Sequence, residues 1–198
     1  GFIVGSHMKI GPDHGARLGL VASAQAATAA LERQDGERAA SIFSAMAQKG
    51  DARAAHTIGV MNLDGKLLPR SPRLAYRWFY VAWTLGDSEG LNGLGVLLRD
   101  GVGTDKDITL AYGAFALASA AGTAAARERA ATNADRLAPE LGDPERRKLV
   151  CMTLERFNEE LEQRLAASGG PIGKSRMQQG ERRLGTIVPA IGDAASCA

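Results

Sequence analysis

The sequence predicts an all-α fold: an α/α superhelix, or solenoid, of antiparallel helix pairs with a long C-terminal capping helix. The first observation is a tandem repeat, since residues 50–85 align without a gap with residues 86–121 at an offset of 36 residues. The second is that small and apolar residues recur at helical spacing within each copy. The third is a composition rich in alanine and glycine with 5% aromatic residues, which suits closely packed helices. Because one such unit buries its apolar face only against its neighbours, the units are expected to stack.

Each repeat is predicted to consist of two antiparallel helices. Ala54 and Ile58 lie one turn apart in the leading half of the first copy, and Ala75 and Phe79 do the same in its trailing half. Residues with this spacing share one helical face. The pattern recurs in the second copy, where the matched pairs are Gly59 with Gly95, Val60 with Val96, Ala75 with Ala111, Tyr76 with Tyr112, Phe79 with Phe115 and Ala82 with Ala118.

Two glycines stand in the middle of the leading helices. Glycine inside a helix costs about 1 kcal/mol relative to alanine, so Gly59 and Gly95 need a packing reason. We expect each glycine to allow a close approach of the trailing helix, with Phe79 or Phe115 filling the gap between the two helices.

Residues with capping chemistry stand at the expected helix ends. Aspartate and serine side chains accept hydrogen bonds from the first turn, proline fits the first helical position, and glycine tolerates the positive φ that ends many helices. The predicted N-caps are Asp51, Ser71, Asp87 and Asp107, with Pro72 following Ser71, and the predicted ends of the leading helices are Gly65 and Gly101.

The repeat array extends beyond the two clear copies. Ala39, Phe43 and Met46 precede the trailing-helix pattern of the first copy by 36 residues, and a further copy begins at Gly122, with a leading helix that should stop near Pro139. We therefore expect a cloning remnant at 1–8, one helical-repeat domain at 9–166 and a flexible tail at 167–198. Within the domain we expect a divergent repeat at 16–49, repeats at 50–85 and 86–121, a partial repeat at 122–143 and the capping helix at 144–166.

The capping helix is predicted from an apolar stripe opposite a charged face. The stripe consists of Val150, Leu154, Phe157, Leu161 and Leu165. We interpret it as the surface that closes the C-terminal end of the array. The alternative is that the same stripe forms a homodimer.

The residue order of the two copies resembles the Sel-1-like repeat, a relative of the tetratricopeptide repeat. The first copy has Ile58-Gly59, Asp64-Gly65, Ser71, Ala75-Tyr76-Arg77-Trp78-Phe79, Ala82 and Gly86, and the second has Leu94-Gly95, Gly101-Val102-Gly103, Asp107, Ala111-Tyr112, Ala118 and Gly122. With flanking partial matches the resemblance covers residues 37–137, and it departs from the family at Asn62 and Leu98, where a tyrosine is usual. The resemblance implies a right-handed superhelix that serves as an adaptor or scaffold for protein partners.

Charge and hydropathy limit the kinds of partner that we expect, while the cellular compartment stays open. The net charge is +2 and no long apolar run occurs, so we expect neither nucleic-acid binding nor membrane insertion. The stretch at 18–27 fits the start of a helix better than the end of a secretory signal, and a periplasmic or envelope-associated setting and a bacterial cytoplasm both remain open. The two cysteines, Cys151 and Cys197, allow either a disulfide to the tail or two unrelated thiols.

The motifs that approach nucleotide-binding, metal-binding or catalytic sites are incomplete, so we expect no catalytic residues, no metal and no cofactor. The stretch from Ser168 to Ser175 approaches a phosphate-binding loop but lacks the first glycine and the preceding strand. An EF-hand loop beginning at Asp100 would need glutamate where Ala111 stands. No histidine has a second ligand at helical spacing, and no nucleophile, base and acid stand together in a recognisable pattern.

The predicted partner-binding surface is the concave side of the superhelix, which leading helices line. Exposed positions on these helices mix polar and aliphatic groups, which suits a peptide or protein partner. These residues are Arg53, His56, Val60, Glu89, Asn92, Val96, Arg99, Glu128 and Thr132.

The first functional hypothesis is a non-catalytic bacterial adaptor or interaction protein. Members of the resembled family include envelope signalling regulators and immunity proteins that neutralise toxins, and either role is compatible with this length. The alternative is a hydrolase that acts on β-lactams or cell-wall fragments, as proposed for some relatives rich in paired cysteines. A broad open groove favours the first hypothesis, whereas a deep pocket with converging titratable groups favours the second.

Overall fold

The computed structural model describes residues 12–167, together with Ile191 and Cys197, and over these residues the chain is an all-α solenoid. No strand occurs within this described part. The predicted cloning remnant at 1–8 and the stretch that approaches a phosphate-binding loop lie outside it, as does the tail except for Ala167, Ile191 and Cys197. The helices are α1 (Pro12–Glu32), α2 (Gly36–Gln48), α3 (Ala52–Asp64), α4 (Pro72–Thr84), α5 (Ser88–Asp100), α6 (Ile108–Ser119), α7 (Ala124–Leu137), α8 (Asp143–Cys151) and α9 (Leu154–Ala167).

Each helix from α1 to α6 packs against the next helix along the chain. The leading helices of the repeats are α1, α3, α5 and α7, and the trailing helices α2, α4 and α6 alternate with them. A continuous core runs from α4 through α6 to α9, and smaller clusters join α1, α2 and α3 to α4. This arrangement confirms the helix pairs that the repeat predicts.

The glycine–phenylalanine contact is the same in both clear repeats. A Cβ atom placed on Gly59 would lie 2.6 Å from the ring of Phe79, and one placed on Gly95 would lie 2.6 Å from the ring of Phe115. Both rings are buried. The glycines are therefore required for the close approach of leading and trailing helices, as the sequence predicts.

The predicted aspartate caps form. The Asp51 carboxylate accepts from the Ala54 amide at 3.0 Å, that of Asp87 from the Glu89 amide at 3.0 Å, and that of Asp107 from the Leu110 amide at 2.9 Å. The leading helices end on Gly65 and Gly101 with φ of 71° and 65°.

Ser71 occupies the N-cap position of α4, but its side chain accepts no capping hydrogen bond. Its backbone N–H instead donates to the carbonyl oxygen of Asn62 at 2.7 Å, which ties the loop to the preceding helix. Proline at the first helical position has no N–H, so α4 begins with one fewer donor to satisfy.

The predicted capping helix is interrupted, so the region at 144–166 forms two helices instead of one. Met152 is extended, with φ −76° and ψ 128°, and ends α8. Thr153 then caps α9, because its hydroxyl accepts from the Arg156 amide at 3.1 Å. The apolar spacing alone did not reveal this break, since Val150 and Leu154 stand four positions apart in the sequence, as they would in a continuous helix.

Helix α9 packs along α4 and α6, antiparallel to both. Near its start Asn158 accepts a hydrogen bond from the Trp83 indole at 3.0 Å, and further along it the Tyr76 hydroxyl donates to the Leu161 carbonyl at 3.2 Å. The ring of Phe157 lies against Gly113 of α6. The chain itself buries four residues of the stripe: Val150, Phe157, Leu161 and Leu165. These side chains are therefore not available to form a homodimer surface.

Cys151 and Cys197 form a disulfide, with their Cα atoms 5.3 Å apart. Of the two alternatives that the sequence left open, the paired one is therefore correct. Ile191 is buried in the same core as α8 and α9, so the chain returns to the capping region at two points beyond α9.

A candidate protein-binding face on the leading helices

An open depression of about 400 Å³ lies between the leading helices α5 and α7. Most of its lining comes from one face of α7, where residues recur at intervals of three and four. The lining residues are Asn92, Ala125, Glu128, Arg129, Thr132, Asn133 and Arg136. We refer to this surface as the α5–α7 depression.

Side-chain contacts between the two helices fix the shape of the α5–α7 depression. The Asn133 amide donates to the Asn92 side-chain oxygen at 3.0 Å. Arg129 forms an ion pair with Glu89. These contacts hold polar groups of successive repeats in register, and a surface fixed in this way loses little entropy when it binds a partner.

Charges of both signs are available at this surface. Arg136 and Glu128 are exposed on α7. Within the described part of the chain neither of these two side chains forms an ion pair. The surface can therefore accept a carboxylate at Arg136 and a basic or hydrogen-bond donor group at Glu128, which suits a polypeptide partner.

Three of the nine residues predicted for partner binding line the depression: Asn92, Glu128 and Thr132. Glu89 lies beside them in its ion pair with Arg129. Val96 is partly buried and packs against the core, so it presents less surface than the sequence suggested.

Arg99 is held by a neighbouring acid instead of extending freely from α5. Its guanidinium donates twice to the Asp100 carboxylate, at 2.6 and 2.8 Å. These hydrogen bonds keep the pKa of the Asp100 carboxyl group below its ordinary value. The Arg99 guanidinium is therefore less available for a new contact than that of Arg136, which forms no ion pair with a described residue.

The predicted residues on α3 lie outside the depression. Arg53 and Val60 are exposed, whereas the His56 ring packs against Phe79 with 5.4 Å between ring centroids. They hold positions equivalent to those of Glu89, Asn92 and Val96 one repeat later. Their part in partner binding stays a prediction.

Three polar residues of the lining are not among those that the sequence predicts: Arg129, Asn133 and Arg136. Two of them follow Glu128 and Thr132 by one residue each, and Arg136 follows Thr132 by one helical turn. The helical spacing of α7 does place these residues on the same face as Glu128 and Thr132. This copy has lost most of the repeat motif, however, so the repeat predicts the face of few of its residues.

The chemistry of the site is hydrogen bonding and ion pairing. Among the described residues no cluster of three or more histidine, cysteine, aspartate or glutamate side chains could hold a metal ion. No helix in this part of the chain has the length and apolar character needed to cross a bilayer.

No protein-family profile matches the sequence, and no curated protein matches it. A solved structure is similar: the crystal structure of a protective antigen present in uropathogenic Escherichia coli strains and displaying an SLR fold, with 20% sequence identity and a TM-score of 0.57. The match covers 86% of this chain and 37% of that chain, so this chain spans well under half of its length. The likeness confirms the predicted fold, that of the Sel-1-like repeat.

Proposed function

We propose that this chain, which has the Sel-1-like-repeat fold, is a non-catalytic interaction protein that binds a protein partner through its leading helices. The observation that supports this most strongly is the α5–α7 depression, whose polar groups are held in place by contacts between the two helices. A preformed surface of this kind recognises a partner with little loss of conformational entropy.

The chemistry of the depression indicates the kind of partner segment. Amide groups at Asn92 and Asn133 can pair with an extended backbone, while Arg136 and Glu128 can pair with charged side chains of opposite sign. A loop or extended segment that carries both an acidic and a basic residue would satisfy these groups together.

The disulfide between Cys151 and Cys197 indicates the kind of cellular compartment in which this protein functions. Disulfides persist in oxidising compartments such as the bacterial periplasm and are rare in the cytosol. We therefore favour a bacterial envelope protein, either a signalling regulator or an immunity protein that neutralises a toxin.

Affinity capture from a bacterial lysate tests the proposed function with a matched pair of charge reversals on α7. Arg136→Glu changes the α5–α7 depression, whereas Arg127→Glu changes an exposed residue of the same helix outside the lining. We expect the wild-type chain and the Arg127→Glu variant to capture the same partner, and Arg136→Glu to weaken its binding by about tenfold. Absence of any captured protein, or equal capture by all three chains, would contradict the proposal.

A further inference from the structure

The surface that holds α9 has an equivalent one repeat earlier. Helix α9 receives hydrogen bonds from Tyr76 and Tyr80 of α4, and its Arg164 donates to the Asp105 carbonyl and the Asp107 carboxylate, just before α6. The residues 36 positions earlier are Ala40, Ser44, Pro69 and Ser71. All four of these line a single open groove of about 470 Å³ between α2 and α4.

This groove, called here the α2–α4 groove, is apolar and open to solvent. Its floor is formed by Ile58 and Asn62 of α3, and its α4 side by Leu74 and Trp78. It continues past Trp78 into a second apolar depression of about 210 Å³ that Val81 also lines.

Repeat-equivalent residues on the two trailing helices differ sharply in exposure. Leu74 is 42% exposed on α4, whereas Leu110, its equivalent on α6, is 0% exposed. Trp78 is partly exposed, whereas its equivalent Ala114 is 0% exposed. In the later repeat α8 and α9 cover the α6 side of the surface. In the earlier repeat the described residues cover Trp78 only in part and leave Leu74 exposed.

The shape of the groove indicates a helix with large apolar side chains. Helix α2 has Ala40 and Ser44 where α4 has the bulky donors Tyr76 and Tyr80, so the α2 side is wider and offers fewer hydrogen bonds. An occupant that follows the direction of α9 would run antiparallel to α4. It would need bulky aliphatic or aromatic groups to fill the space that tyrosines take in the next repeat.

The charge of the groove indicates acidic residues beside that apolar stripe. Arg77 stands at the position of Gly113, where the Phe157 ring of α9 packs one repeat later. Arg73 lies one turn before it and is exposed. Neither arginine forms an ion pair with a described residue, and the lining of the groove and of its extension contains no acidic side chain.

We propose that the α2–α4 groove binds an amphipathic helix of a partner protein, with a bulky apolar stripe flanked by acidic residues. The bound helix lies antiparallel to α4 and pairs its acids with Arg73 and Arg77. This surface belongs to the trailing helices and operates independently of the α5–α7 depression.

A pair of stapled helical peptides tests the proposal on the full chain. Both have an apolar stripe at the spacing of Leu154, Phe157, Leu161 and Leu165; one has glutamate beside the stripe and the other has lysine. We expect fluorescence anisotropy to show about tenfold tighter binding of the glutamate peptide. Arg77→Glu should reverse this preference.

Two lysine substitutions locate the binding surface. Leu74→Lys places a charge in the groove and should weaken binding of the glutamate peptide by about tenfold. Leu85→Lys is the matched control, because Leu85 is 39% exposed and lies outside the groove lining. Both replaced residues are exposed, and circular dichroism checks that each variant remains folded.

Several results would overturn the proposal. One is failure of the glutamate peptide to bind, which would occur if this chain's own residues 168–190 filled the groove. Another is equal binding to the wild-type chain and to Leu74→Lys and Arg77→Glu. A third is a dimer in sedimentation that Leu74→Lys converts to a monomer, because the occupant would then be a second copy of this chain.

Discussion

At the scale of single residues, the fold depends on glycines that receive a phenylalanine ring. Gly59 and Gly93 lie on opposite sides of the Phe79 ring, and a Cβ atom added to them would lie 2.6 and 2.9 Å from it, respectively. A ring packed in this way joins two successive leading helices through one trailing helix. Because the contact uses the absence of a side chain, even the smallest substitution should disturb it.

Replacing Gly95 with alanine tests this contact. The added methyl group would lie 2.6 Å from the ring of Phe115, so this fully buried ring would have to shift within the core. We expect Gly95→Ala to lower the free energy of unfolding by about 1–3 kcal/mol, measured by urea denaturation. Gly19→Ala is the control, since nothing lies within 4 Å of that position and alanine should stabilise the helix by up to about 1 kcal/mol. Equal effects of the two substitutions would contradict the packing account.

The sequence predicted these residue-scale contacts well where a repeat partner existed. The match of Gly59 with Gly95 located both ring contacts, and aspartates at matching positions located the caps. The comparison of repeat copies does not predict the contact of Arg129. Its repeat equivalent is Gly93, which has no side chain.

At the scale of elements, hydrogen bonds from aromatic residues of α4 position α9. The Tyr80 hydroxyl donates to the Glu162 carboxylate at 2.5 Å, beside the bonds made by Tyr76 and Trp83. Burial, and then the hydrogen bond to Glu162, raise the pKa of Tyr80 far above its ordinary value. Burial also raises the pKa of Tyr76. Docking of α9 therefore requires both phenols to remain protonated.

Alkaline pH should weaken the fold through these tyrosines. The unfolded phenols lose their protons near pH 10, whereas the folded ones retain them. The stabilisation is complete below about pH 10 and is lost as the pH rises towards the folded-state pKa values. The free energy of unfolding should thus fall by up to about 1.4 kcal/mol per pH unit for each such tyrosine.

Two variants separate titration from simple loss of a contact. Tyr80→Phe should flatten the fall in the free energy of unfolding between about pH 10 and 11.5. Trp83→Phe removes the indole hydrogen bond to Asn158 without removing a titrating group, so it should lower stability by about 1 kcal/mol and leave the slope unchanged. Identical slopes for the wild-type chain and Tyr80→Phe would refute the role of Tyr80.

Element boundaries were predictable from caps but not from apolar spacing. Asp51, Asp87 and Asp107 marked helix starts because their side chains satisfy backbone amides locally. The stripe from Val150 to Leu165 predicted one helix, whereas Thr153 starts a new one. A short break that leaves the four-residue spacing of Val150 and Leu154 intact has no signature in the stripe. The packing of α9 on α4 was likewise not predictable from the sequence, because its hydrogen bonds join residues more than 70 positions apart.

At the scale of the whole molecule, the disulfide joins the end of α8 to Cys197 across a sequence separation of 46 residues. Cross-linking a segment of this length restricts the unfolded chain, which stabilises the folded one by about 2–4 kcal/mol. We expect dithiothreitol to lower the free energy of unfolding by that amount. The doubly substituted variant Cys151→Ser, Cys197→Ser should show the lower stability without reductant and no response to it. A wild-type chain insensitive to reductant would contradict a stabilising role.

The repeat array also explains why one chain presents two different surfaces. Successive leading helices form the polar α5–α7 depression, while successive trailing helices form the apolar α2–α4 groove. The period of the sequence predicted the array and the leading-helix face. It did not predict the α2–α4 groove. Leu74 remains exposed because α9 packs on the equivalent surface one repeat later, and the position of α9 depends on contacts between residues distant along the chain.

Hydrogen exchange of the captured partner complex tests the central claim most directly. If the leading helices bind the partner, amides of α5 and α7 around Asn92 and Thr132 should become protected on complex formation, while those of α8 should exchange as in the free chain. If the partner instead protects only amides outside the leading helices α3, α5 and α7, this result would contradict the account.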